Sequence, residues 1–260
     1  MTMDFSLILT TATAVCGLIW GFHALLLRLG RGGGAESQEE NAKEPILVEY
    51  ARSFFPVLLI VLIVRSFLFE PFRIPSSSMV PTLLVGDFIF VNKYFYGLRL
   101  PVVNKKFMDI GDPERGDVVV FRLPADPSIN YIKRLVGLPG DKVMYRNRRL
   151  YINGEIVASE AAGEYEGEGQ PGSLLYNELL GEVEHSILLM PDRRSLEGTF
   201  VVPSGHYFMM GDNRDNSKDS RYQGVGIIPD GNIVGKAVLI WMNWGFTKLP
   251  RWDRIGNEIN

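Results

Sequence analysis

The chain has 260 residues, with 27 Lys plus Arg against 30 Asp plus Glu and a formal net charge of −3. That balance excludes a nucleic-acid binder that works by neutralising phosphates, and the single Cys excludes a disulfide scaffold or a thiolate zinc site. A 46% hydrophobic share can build a sizeable core, while 27 Gly and 15 Pro supply turns for many short strands.

The first element runs from Phe5 to Leu27, without one Lys, Arg, Asp or Glu. As a helix it reaches roughly 34 Å, enough to cross a bilayer. Asp4 precedes the run, and Arg28 and Arg31 follow it, where a signal peptide would have a basic start and a small-residue exit. Residues 1–27 are therefore expected to be a first transmembrane anchor, and Cys16 and His23 within it are given no chemistry. Residues 28–53, with Gly32-Gly33-Gly34 and an acidic cluster at Glu36, Glu39 and Glu40, read as a polar connector. Residues 54–69 are predicted to be a second anchor. At about 24 Å they span the hydrocarbon only if Arg65 snorkels or the helix starts earlier.

Arg28, Arg31, Lys43 and Arg52 lie between the two apolar runs, and no Lys or Arg precedes Phe5. This makes the connector cytoplasmic and puts residues 70–260 on the outer face, as a β-rich domain of a multi-pass membrane protein. Membrane lipid is then a partner and nucleic acid is not. Short β-type runs follow at Asp87–Val91, Asp117–Leu123, Tyr131–Val136, Lys142–Tyr145, Thr199–Val202, Tyr207–Met210 and Ile233–Met242. Pro139-Gly140, Asn153-Gly154 and Ser204-Gly205 mark turns between them. The Gly- and Glu-rich stretch around 159–194 reads as an acidic insertion or surface excursion with little chemistry. Phe88, Phe90 and the Tyr94 to Tyr96 cluster are candidates to rest on lipid, with core packing the alternative for Phe88 and Phe90.

Chemistry has few candidates. A Ser-His-Asp triad would have to use His185, in the acidic insertion, or His206, beside a strand, and neither is well placed. No His-x-x-x-His or Cys-x-x-Cys pair offers a zinc site. An EF-hand loop started at Asp215 puts Ser220 where Gly is needed and Gly226 where the closing Glu belongs. No metal or other cofactor is expected. What remains is a serine activated by a lysine, from Ile74-Pro75-Ser76-Ser77-Ser78-Met79-Val80-Pro81-Thr82 and Tyr131-Ile132-Lys133-Arg134-Leu135-Val136. A free lysine titrates near about 10.4, so a base working at neutral pH must be buried; lowering it by about three pH units costs roughly 4 kcal/mol. Strand alternation sends Tyr131, Lys133 and Leu135 to one face and Ile132, Arg134 and Val136 to the other. Arg134 could depress the lysine by its charge while pairing with a carboxylate on its own side.

Four boxes in order resemble those of bacterial type I signal peptidases (leader peptidases). They are Glu70 to Leu83, Gly116 to Phe121, Tyr131 to Asp141, and Gly211 to Arg221. The resemblance covers about Glu70 to Trp244, and two anchors with an outward domain resemble the layout of Gram-negative members. It implies a mainly β, signal-peptidase/LexA-like fold on an N-terminal pair of transmembrane helices, and an endopeptidase that removes signal peptides from exported preproteins. It further implies that Ser78 is the nucleophile and Lys133 the general base, with Ser76 Oγ and the Ser78 N–H as the oxyanion hole. Ser217 would orient the lysine amine, and Asp219 with Arg221 and Arg134 with Asp212 would be supporting ion pairs. Phe72, Ile74, Leu83 and Ile132 are then candidate walls of a pocket for small side chains, giving Ala-x-Ala cleavage. The chain departs from the pattern at Ser77, where many members have Gly, and lacks the cysteines for the disulfide of some members. The competing readings are a self-cleaving Ser-Lys protease of the repressor type and a non-catalytic, membrane-tethered β-domain that scaffolds an export complex.

Overall fold

The computed structural model describes residues 5–30, 44–99, 106–108, 110–245 and 249–260. Arg31, Lys43, the glycine run and the acidic cluster of the connector lie outside them. The chain forms two units, Met1–Leu68 with Arg99–Phe107, and Phe69–Leu98 with Met108–Asn260.

In the first unit, α1 spans Phe5–Gly30 and α2 spans Ile46–Ile63, continued by a π-helical turn over Val64–Leu68. Both are long and apolar enough to cross a membrane, and little of either is buried in protein. Leu18, Phe22, Leu29, Leu47 and Ile60 turn outward, as suits helices whose backbone polar groups are satisfied internally and whose side chains meet lipid. They pack at Gly17, where an added Cβ would stand 2.7 Å from the Phe55 ring. The second helix begins eight residues before the expected residue 54 and has given way to strand at Phe69. Its 23 residues, Ile46–Leu68, reach about 34 Å, which removes the shortfall.

The second unit is built from antiparallel sheets. Its strands are β1 (Phe69–Arg73), β2 (Asp87–Asn92), β5 (Val118–Leu123), β6 (Asp126–Gly137), β7 (Lys142–Arg146), β8 (Arg149–Ile152), β9 (Glu155–Ile156), β10 (Ser159–Tyr165), β11 (Ser173–Leu180), β12 (Val183–Leu189), β13 (Gly198–Val201), β14 (His206–Met210), β15 (Ile228–Pro229) and β16 (Ile233–Asn243). Two short strands, β3 (Leu98–Arg99) and β4 (Lys106–Met108), lie where the two units interleave along the chain. A seven-stranded sheet runs β1-β2-β16-β5-β6-β14-β15, a four-stranded one β13-β7-β8-β9 and a three-stranded one β10-β11-β12.

The centre of the main sheet, β5 with the second half of β6, is buried on both faces. Val118, Val120 and Ile132 join Ile74, Met79 and Leu83 on one side, while Val119, Phe121 and Leu135 join Tyr207 and Met209 on the other. Each such side chain contributes roughly 1.5–3 kcal/mol by leaving water, and together they hold β5 and β6 rigidly in register, with Val119 opposite Lys133 and Val118 opposite Arg134.

Three expectations change. The stretch around 159–194 is an ordered antiparallel sheet, because Leu180, Ile187, Leu188 and Leu189 give it a buried side that its acidic composition hides. Tyr96 faces inward and donates to Asp117 at 2.7 Å, leaving only Tyr94 and Phe95 of that cluster exposed. Phe88 and Phe90 are not core residues: Ile89 and Val91 take the inner face of β2, and the two phenyl rings lie against Trp241 at 5.5 and 5.4 Å on the other.

Candidate active site

Ser78 sits in the turn between β1 and β2. Ile74, Met79 and Leu83 are sunk into the core, whereas Pro75 and Ser76 are exposed. The Ile74 N–H donates to the Asp87 carbonyl at 2.8 Å, and the Leu83 N–H to Met79 at 2.9 Å. Two apolar anchors thus fix a polar turn at the protein's edge. Ser78 is nearly buried, and its Oγ lies 3.3 Å from Ser76 Oγ.

Lys133 arrives from the middle of β6 and is only 2% exposed. Its Nζ donates to Ser78 Oγ at 2.6 Å and to the Ile132 carbonyl at 2.7 Å, with the Tyr131 ring 5.5 Å away. No carboxylate forms an ion pair with it among the described residues. Burial lowers the amine from 10.5 to about 8, against the nearby charges of Asp219 and Asp212, which pull the other way. The charge of Arg134, a candidate for depressing the lysine, is instead spent on Asp212: Nε and Nη2 donate to its two oxygens, each at 2.8 Å.

That pair belongs to a buried network. Arg134 also donates to the Gly116 carbonyl at 2.6 Å, and Thr82 donates to Asp212 at 2.5 Å. Burial alone would raise the Asp212 carboxyl, but Arg134 holds it below the usual range. His185 Nε2 lies 3.9 Å from Asp212 and 3.4 Å from Glu178, which forks onto Arg214. Burial opposes ionisation of Glu178, yet Arg214 and His185 bring it down to about 2. The acidic sheet therefore supplies two buried members of this network, Glu178 and His185. Sequence reasoning missed that, since the only local signal was a His in an acidic strand. His206, the other histidine outside the anchors, contacts its own turn at Ser204.

The segment after β14 brings the last box to the same place. Arg221 makes a two-point pair with Asp219, 2.8 Å from Nε and 2.9 Å from Nη2, and Asp219 accepts from the Gly211 N–H at 3.1 Å. At Gly211 an added Cβ would lie 2.5 Å from the Ser78 carbonyl oxygen and 2.3 Å from Ser217 Oγ, so only glycine lets the two segments meet. Ser217 departs from expectation. Its Oγ is buried without a hydrogen-bond partner among the described residues, and the lysine is oriented by Ser78 and Ile132 instead.

The candidate pocket walls Ile74, Leu83 and Ile132 lie in one apolar cluster, with Phe72 packed against it. Leu83 and Ile74 are closed within that core. A separate cavity of about 480 Å³, lined by residues such as Arg115, Asn153 and Leu180, includes none of the site residues.

The chain matches the model of the family described as "Signal peptidase, peptidase S26" over residues 47–244. It belongs to the type I signal peptidase family. It is 51% identical to Signal peptidase I of Pseudomonas aeruginosa, over 98% of this chain and 99% of that protein. The identity is 51% to the Pseudomonas fluorescens protein of the same name, over 98% and 99%. With Signal peptidase I of Rickettsia typhi it is 41%, over 80% of this chain and 84% of that one. As a member it is a serine endopeptidase that removes signal peptides from preproteins, anchored in a membrane by its apolar helices.

Proposed function

We propose that Ser78 is the nucleophile of this signal-peptide hydrolysis and Lys133 its general base. The observation that carries the reading is a buried lysine amine, paired with no carboxylate among the described residues, 2.6 Å from a serine hydroxyl. Ser78 Oγ attacks the carbonyl carbon of the scissile peptide as Lys133 Nζ takes its proton. The lysine then protonates the leaving amine, and a water, deprotonated by the same amine, hydrolyses the ester. Ser76 Oγ and the Ser78 N–H donate to the oxyanion; the Ser78 N–H donates to no other described residue. The Asp219–Arg221 and Arg134–Asp212 pairs hold the two flanking segments.

Around this site, Ile132 and Phe72 face the substrate while Ile74 and Leu83 support them, admitting small side chains at the −1 and −3 positions and giving Ala-x-Ala cleavage. Residues 5–30 and 46–68 cross the inner membrane with a cytoplasmic connector between them, and the β-rich unit faces the periplasm. Lipid is its surrounding partner, and the net charge of −3 argues against nucleic acid. From Phe69 to Ser78 the chain reaches at most about 30 Å, which keeps the nucleophile near the bilayer where a membrane-bound signal segment emerges.

The test uses the full chain in detergent with a preprotein bearing an Ala-x-Ala site. Ser78→Ala and Lys133→Ala are expected to abolish cleavage with the fold intact. Wild-type kcat/KM should rise with pH and level off above about 8, as the lysine loses its proton. Undiminished cleavage by either variant defeats the reading. A wild-type protein that cuts only itself, or nothing, returns the repressor-type or scaffold reading.

A further inference from the structure

We propose that Asn213, assisted by Asn216, aims the oxyanion donor of this enzyme, an inference that rests on the Ser78–Lys133 reading. The Ser77 carbonyl and the Ser78 N–H belong to one trans peptide unit. Such a unit is planar, so its C=O and N–H point in opposite directions and fixing one fixes the other. Asn213 Nδ2 donates to the Ser77 carbonyl at 3.0 Å, and the Asn213 backbone N–H donates to the Ser78 carbonyl at 3.1 Å. One residue thereby grips the carbonyls on both sides of the Ser78 Cα. The orientation of its amide follows from chemistry, because a flipped group would set Oδ1 against the Ser77 carbonyl, acceptor against acceptor.

Two further observations point the same way. Asn213 is fully buried, and its Oδ1 has no hydrogen-bond partner among the described residues; an unsatisfied buried acceptor weakens a fold, so this amide is kept for its donor. Asn216 Nδ2 donates to Ser77 Oγ at 2.9 Å. The hydroxyl that distinguishes this turn from a Ser-Gly-Ser turn is thus a second handle on the same peptide unit. Asn213 precedes and Asn216 ends the 3₁₀ turn Arg214–Asn216, whose Arg214 is fixed by Glu178, so the grip has a rigid base. Asn213 and Asn216 are positioning residues and touch no reacting atom.

Loss of an oxyanion donor lowers kcat by about 10²–10³-fold, so a donor left free to swing should lower it by about 10–100-fold. The experiment measures kcat, KM and the melting temperature of the full chain in detergent, with a preprotein bearing an Ala-x-Ala site. Asn213→Ala is expected to lower kcat by that factor with KM within about twofold, since the contact it aims exists only in the transition state. Asn216→Ala and Ser77→Ala should each lower kcat by about threefold, and their double variant no further than either alone. A kcat for Asn213→Ala within about twofold of wild type overturns the proposal, as does a loss carried by KM instead. Should Asn213→Ala not fold, the Asn216 and Ser77 variants decide it, and unchanged kcat in both overturns it. Failure of the underlying reading is separate and shows as cleavage by Ser78→Ala.

Discussion

Lys133 and Arg134 are consecutive residues of one strand, both cationic and both buried, and they leave β6 on opposite faces. On Arg134's face the charge is met by Asp212, the Gly116 carbonyl and Thr82. On Lys133's face the amine meets one hydroxyl, one carbonyl and an aromatic ring. Burial is common to both, but a guanidinium keeps its proton in either setting, whereas burial of an amine with no carboxylate paired to it among the described residues lowers its pKa and lets it act as a base. One face uses its cation to hold three segments together, and the other gives up stability to keep an amine that can release its proton.

The contrast can be broken first on the arginine side. Arg134→Met should strand Asp212 as an uncompensated charge and cost about 3–5 kcal/mol in denaturant unfolding. Lys133→Met should do the reverse. With the amine at about 8 when folded and 10.5 when unfolded, folding below pH 8 requires a buried, still protonated lysine. Wild-type stability therefore rises as pH increases from 8 to 10.5, where the unfolded chain binds the extra proton. The Met variant, inactive, should be more stable by about 3 kcal/mol below pH 8, with the advantage gone above pH 10.5. If both variants destabilise alike at pH 7, the two faces are equivalent and the comparison fails. The smallest effect belongs to Ser217→Ala. Its hydroxyl is buried and unpartnered, so removing it should move stability by less than about 0.5 kcal/mol. A larger loss would show a contact absent from this structure.

The part of the site that can be read from sequence is the part carried by local pattern. Alternation along Tyr131 to Val136 separates Lys133 from Arg134, and the runs at 87–91, 117–123 and 233–242 became β2, β5 and β16 within a residue or so of the expected ends. Strand β1 was missed because Pro71 interrupts it; it is tolerated there since β1 is an edge, paired only with β2. The start of α2 was obscured by Glu49 and Arg52, charges that a helix carries as readily as a connector. Contacts between distant segments left no local trace. Asn216 reaches Ser77 across 139 residues and Arg214 reaches Glu178 across 36, and neither spacing has a period to detect.

The Arg214–Glu178 fork also bears on any attempt to trim this enzyme. Strands β10 to β12 resemble a removable decoration, acidic in sequence and solvent-facing along β10, and a protein engineer seeking a minimal catalytic unit would delete them. Doing so would leave Arg214 without its counter-ion one residue from Asn213, loosening the turn that grips the nucleophile loop. A shortened version would have to replace that arginine with an apolar residue in the same step.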